Sequence, residues 1–103
     1  MIRNVSPSEA NSLISQGAVD VVDVREQREW ATGHIEGARL VPLGKLKQAP
    51  QAELPRDGIM FVCAKGLRSL TAAKVAETAG KTEVYSLDGG TLAWAHAGLP
   101  LVS

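Results

Sequence analysis

Apolar positions along the chain switch between helical and extended spacing, and the switches mark the elements. Near the N-terminus, Ala10, Leu13 and Ile14 recur at helical spacing and fall on one face. Ser6-Pro7-Ser8-Glu9 supplies the start of that helix. Ser6 can cap it, Pro7 takes the first helical position, and Glu9 can close a capping box. Val5 stands before the cap as a staple residue, and Gly17 ends the helix. The next run, Val19-Asp20-Val21-Val22-Asp23-Val24, is β-branched and too apolar for a half-exposed hairpin strand. It predicts a central strand with Asp23 near its end.

From Arg25 to Thr32 the chain is polar apart from Trp30, which predicts a short helix ended by Gly33. Ile35 to Val41 predicts an extended piece broken by Gly37 and closed by Pro42. Periodicity fades between Leu43 and Gly58. Leu43 and Leu46 can pin a helical turn, Pro50 and Pro55 predict irregular structure, and Asp57-Gly58 predicts a turn. The four apolar residues Ile59 to Val62 predict a buried strand. A helix follows over Ser69 to Ala79, burying Leu70, Ala73 and Ala76 with Val75 beside them, and Gly80 stops it. Glu83 to Leu87 predicts the next strand, Asp88-Gly89-Gly90 a turn, and Thr91 to Ala97 a last short helix with Trp94 buried. Gly98 stops that helix, and Leu99-Pro100 ends the pattern. Strands alternating with helices predict an α/β fold, one domain over residues 1–103, with a mainly parallel sheet covered by helices on both faces.

Composition narrows the functional classes. A chain of 103 residues suits one domain with a modest core. Eleven basic residues against eleven acidic ones give no general case for nucleic acid or for an anionic membrane. No stretch is long and apolar enough to span a bilayer, and the N-terminus has no apolar signal core. A single cysteine excludes an intramolecular disulfide and suits a reducing compartment, so the expected location is cytoplasmic. His34 and His96 lie far apart without ligand spacing, so no metal is expected. A Ser-His-Asp arrangement, a Walker phosphate loop and a complete dinucleotide fingerprint are all missing.

The chemistry concentrates at Cys63. A lone cysteine is commonly a buried apolar filler. This one stands at the end of a buried strand, directly before a glycine-containing loop and a helix start, where α/β folds place their active sites. Successive amides between Ala64 and Ser69 can cradle an anion, and Lys65 and Arg68 add positive charge. Such surroundings lower a thiol's pKa and produce a nucleophilic thiolate. Arg68 can hold an oxyanion in two contacts, while Lys65 is a mobile point charge. Ala64, Lys65, Gly66, Leu67, Arg68 and Ser69 are therefore the candidate substrate-binding loop. Asp23 has two readings: a capping or turn carboxylate, or a support for the loop that accepts amide hydrogen bonds or pairs with an arginine. Arg25 and Glu29, four residues apart, are expected to pair on one helical face.

Three stretches together resemble the rhodanese family of sulfurtransferases, specifically its single-domain members. They are DVREQREWATGHIEGARLVP from Asp23 to Pro42, CAKGLRS from Cys63 to Ser69, and GGTLAWAHAGLP from Gly89 to Pro100. Their order and spacing fit the family over nearly the whole chain. The resemblance implies a three-layer domain with a central, mostly parallel five-stranded sheet. It implies a loop whose amides point at the sulfur, and a persulfide carried on Cys63. Asp23 becomes a supporting residue, Gly37 and Gly89-Gly90 become backbone features, and Trp30 and Trp94 become packing anchors. Related dual-specificity phosphatases resemble Cys-x5-Arg, whereas Cys63 and Arg68 form Cys-x4-Arg, and the smaller ring suits a sulfur atom better than a phosphoryl group.

The function so implied is transfer of a sulfane sulfur from a small anionic donor such as thiosulfate to a thiol, cyanide or protein acceptor, with no metal or organic cofactor. Three alternatives stay open: a sulfur-relay carrier serving protein partners, a phosphatase or arsenate-reducing enzyme on the same scaffold, and a non-enzymatic binding module. The chain suits a monomer, with a dimer equally open.

Overall fold

A computed structural model describes residues 1–103. The elements run β1 (Ile2–Val5), α1 (Pro7–Ser15), β2 (Asp20–Asp23), α2 (Gln27–Trp30), β3 (Arg39–Leu40), α3 (Leu43–Gln48), α4 (Pro50–Glu53), β4 (Ile59–Val62), α5 (Leu67–Thr78), β5 (Val84–Leu87) and α6 (Gly90–His96). The strands form one sheet in the order β1-β5-β4-β2-β3. Every named strand pair is parallel, with Asp23 opposite Val62 and Phe61 opposite Ser86. A single antiparallel bridge joins His34 to Val102 outside the strands.

The middle strand shows why the sheet needs helices on both faces. All four residues of β4 are buried, so each of its faces must be covered. Ile59 and Phe61 point to one side, where they pack with Leu46, Leu54, Ala72, Ala73 and Ala76 under α3 and α5. Met60 and Val62 point to the other, against Ala10 of α1 and Trp94 of α6. Trp94 also donates its indole N–H to the Pro100 carbonyl at 2.8 Å, which fixes the tail to that face. The result is a helix–sheet–helix sandwich, the three-layer α/β arrangement that the resemblance implies.

Several expectations need correction. Ile2–Val5 is a strand, where the sequence pattern assigns a role only to Val5, as a staple. Two of its four side chains are polar and exposed, so alternation is weak, and pairing along β5 supplies the order. Pro50–Glu53 is a helical turn because Pro50 sits in its first turn, where a missing amide hydrogen costs nothing. Of the extended piece from Ile35 to Val41, only Arg39 and Leu40 pair as a strand. Helix α5 starts at Leu67, two residues before the predicted Ser69. Its buried stripe is Ser69, Ala72, Ala73 and Ala76, with Leu70 only half-buried. Gly66 causes the early start: at φ +99° it takes the left-handed region and turns the chain into the helix at once.

Candidate active site

Neighbouring strands β2 and β4 end together, and the candidate residues gather beyond their C-terminal ends. Cys63 follows Val62 directly and is 1% exposed. Its Sγ accepts hydrogen bonds from the amide N–H of Gly66 at 3.1 Å and of Ser69 at 3.3 Å. The Ser69 hydroxyl lies 3.5 Å from the same sulfur. The early start of α5 makes this possible. Ser69 becomes the third residue of the helix, so its amide belongs to the first turn, where N–H groups have no helical partner. Burial pushes the Cys63 thiol up, but the Ser69 hydroxyl and the amides of Ser69, Gly66 and Lys65 outweigh it. The net pKa lies below the usual 9.0.

Helix α6 holds the other side of the loop. The Thr91 and Leu92 amides donate to the carbonyls of Cys63 and Ala64, at 2.9 and 3.1 Å. In a trans peptide the N–H points opposite to the C=O, so these two bonds turn the Ala64 and Lys65 amides away from α6. Gly90 permits this approach. A Cβ there would stand 2.3 Å from the Cys63 carbonyl oxygen and 2.5 Å from that of Ala64. Gly66 is similarly close-packed, since a Cβ at that position would stand 3.0 Å from the Gly89 nitrogen. The glycines at 66, 89 and 90 thus hold the loop against α6 by backbone-to-backbone contact.

The charged candidates separate into two ion pairs and one free cation. Asp23, fully buried, receives Arg25 Nη2 at 2.8 Å and Nε at 3.0 and 3.1 Å, together with the Arg25 amide at 3.0 Å. Arg25 also donates to the Gly33 carbonyl at 2.8 Å, tying the end of β2 to the turn after α2. Asp23 thus combines features of both readings: it accepts a hydrogen bond from the amide two residues on, as a turn carboxylate does, and it pairs with the Arg25 guanidinium. The expected Arg25–Glu29 side-chain pair does not form: Arg25 reaches only the Glu29 backbone carbonyl, at 3.4 Å. The Glu29 carboxylate binds Arg68 in two contacts, at 2.8 and 2.9 Å, and takes the Glu26 amide at 3.0 Å. The Arg68 hydrogen bond, then the Glu26 amide, hold Glu29 down at a pKa of about 2. The Glu29 hydrogen bond raises that of Arg68. Lys65 is exposed and makes no ion pair.

Leu67, at the start of α5, is 75% exposed, and Leu92 of α6 is 55% exposed. A cleft of about 300 Å³ abuts the loop, lined in part by Arg25, Ala64, Lys65, Thr91, Leu92 and Leu101. One larger hollow, between Lys47 and Lys74, does not touch the loop. His34 stacks on Trp30 with ring centroids 3.6 Å apart, so it serves packing at the side of α2. No three His, Cys, Asp or Glu side chains come close enough to hold a metal, and no helix is long and apolar enough to cross a membrane. One buried partner of Ser69 is not foreseen from the sequence: Ser86 of β5, 2.7 Å from the Ser69 hydroxyl. A serine inside an apolar strand carries no local signal of what it touches.

Comparison with known proteins identifies the family. The family model for the Rhodanese-like domain matches residues 6–97. An uncharacterised protein of Synechocystis is 39% identical over 95% of the chain, which spans 55% of that protein's length. The thiosulfate sulfurtransferase GlpE of Pseudomonas fluorescens is 37% identical, the match covering 89% of this chain and 84% of that one. The crystal structure of a rhodanese-related protein from Thermoplasma volcanium superposes with a TM-score of 0.86 at 29% identity, over 97% of both chains. The chain belongs to the rhodanese-like domain family.

Proposed function

We propose that this protein transfers a sulfane sulfur from an anionic donor such as thiosulfate to a thiophilic acceptor, carrying it as a persulfide on Cys63. The observation that carries the reading is one buried sulfur that accepts two amide hydrogen bonds, at 3.1 and 3.3 Å, with the Ser69 hydroxyl 3.5 Å away. Such an arrangement favours the thiolate, which is the nucleophile. Membership of the rhodanese-like family, and relatives that are thiosulfate sulfurtransferases, support the same chemistry.

In the first half-reaction the Cys63 thiolate attacks the outer sulfur of thiosulfate. The sulfur–sulfur bond of the donor breaks, sulfite leaves with the electron pair, and Cys63 holds a persulfide anion. The loop amides and the first turn of α5 stabilise the charge on the outer sulfur. Lys65, unpaired and exposed, attracts the donor and the departing sulfite. Arg68, engaged by Glu29, holds the loop in shape and adds positive potential. In the second half-reaction a thiolate or cyanide attacks the outer sulfur, and the bonding pair returns to Cys63. Both halves balance without a metal or an organic cofactor. A protein acceptor is a natural alternative to a small thiol, since exposed Leu92 lines the cleft beside the loop and Leu67, within the loop sequence, is exposed too.

Initial rates with thiosulfate and cyanide varied together test the reading. A covalent intermediate gives parallel double-reciprocal lines, and intersecting lines contradict it. Hydrolysis of an aryl phosphate without sulfur transfer would favour a phosphatase instead.

A further inference from the structure

Ser86 is a buried polar group to which the chemistry described so far gives no part. It lies on the same side of β5 as Val84, facing α5, and is fully buried. Its hydroxyl oxygen is 2.7 Å from Ser69 Oγ and has no other hydrogen-bond partner. Ser69 Oγ, also fully buried, is 3.5 Å from Cys63 Sγ. Three heavy atoms thus form a line with two links.

Counting hydrogens gives that line a direction. The two hydroxyls bring two hydrogens for the two links. If Ser69 gives its hydrogen to Ser86, the hydrogen on Ser86 is buried with no acceptor, which a folded interior disfavours. If Ser86 gives its hydrogen to Ser69, Ser69 gives its own to Sγ and both are used. A neutral thiol would bring a third hydrogen to the same two links and leave one unused. A thiolate leaves none.

We infer that Ser86 is a positioning residue: by donating to Ser69 it fixes the Ser69 hydroxyl as a donor to Cys63 Sγ and so favours the sulfur as an anion. Donation from Ser86 also polarises the Ser69 hydroxyl, making it a stronger donor. Under the proposed function, this matters most when the acceptor discharges the persulfide. The acceptor forms its bond to the outer sulfur, the bond from that sulfur to Sγ breaks, and the electron pair arrives at Sγ, where the Ser69 hydrogen meets it. No proton changes hands. The catalytic meaning rests on the sulfurtransferase reading; the effect on the thiolate does not.

The test is the rate of Cys63 alkylation by iodoacetamide across the pH range in which thiols ionise, for the wild type, Ser86→Ala and Ser86→Thr. Thermal unfolding of each variant serves as a control for folding. The Ser86→Ala midpoint is expected to rise, leaving about threefold less thiolate below it, while Ser86→Thr keeps the wild-type profile because it keeps the hydroxyl. A Ser86→Ala profile that overlays the wild type overturns the inference. So does a Ser86→Thr profile displaced as far as Ser86→Ala, which would make the effect one of packing. A displaced Ser86→Ala profile in a protein that takes no sulfur from thiosulfate supports the hydroxyl chain and removes the sulfurtransferase reading.

Discussion

The guanidinium of Arg68 meets both carboxylate oxygens of Glu29, at 2.8 and 2.9 Å, joining the thiol loop to a helix 39 positions earlier in the chain. Both side chains are about a third exposed. The pair therefore works as a clamp at the protein surface, holding the loop from outside while α6 holds it from within. It also leaves Lys65 as the cation free to meet an anion.

Glu29→Gln is expected to loosen that clamp. With both partners partly solvated, the loss of stability should be modest, about 0.5–1 kcal/mol at neutral pH. The pH dependence has a definite sign. Glu29 ionises at about 2 in the folded chain against an ordinary 4.5, so its contribution is fully present above 4.5 and is lost as pH falls toward 2. Urea unfolding at a series of pH values should show the wild type and Glu29→Gln converging over that interval. A constant gap would contradict the assignment.

Asp23 and Arg25 differ from this pair in being buried. Removing the carboxylate leaves a guanidinium that is 4% exposed without its main partner. Asp23→Asn should cost about 3 kcal/mol by chemical denaturation, several times the effect of Glu29→Gln. Arg25→Lys should recover little, because a lysine cannot meet the two Asp23 oxygens and the Gly33 carbonyl together. Equal losses for Asp23→Asn and Glu29→Gln would contradict the distinction.

Gly90→Ala tests the contact between loop and α6. The added carbon would collide with the Cys63 and Ala64 carbonyls, at a position whose φ is +62°. Stability should fall by at least about 2 kcal/mol, and Cys63 alkylation should change with it. Gly37→Ala is the control: its φ is +85°, but nothing lies within 4 Å, so it should cost about 1 kcal/mol and leave the thiol's reactivity unchanged. If the two variants alkylate alike, α6 does not shape the loop.

What is legible in the sequence divides by distance along the chain. Cys63 can be read because its cues are adjacent: a buried strand before it, Gly66 and a helix start after it. The capping box of α1 is readable for the same reason, and Ser6 and Glu9 form it. Contacts between distant segments are not readable. Glu29 lies four residues from Arg25, a spacing that suggests a helical pair, yet Asp23 competes for Arg25 from the strand end and leaves Glu29 to Arg68. Ser86 looks like any strand residue because its only partner is 17 positions away. The start of α5 falls earlier than its apolar pattern suggests because Gly66 is more than a turn residue. Its left-handed conformation is what brings the Ser69 amide to the sulfur.

The measurement closest to the central claim is the intact mass of the protein after thiosulfate treatment, under conditions that preserve persulfides. The wild type should gain the mass of one sulfur atom, Cys63→Ser should gain none, and cyanide should return the wild type to its starting mass. A wild type that gains no sulfur would contradict the donor assignment, and the same gain on Cys63→Ser would move the chemistry away from Cys63.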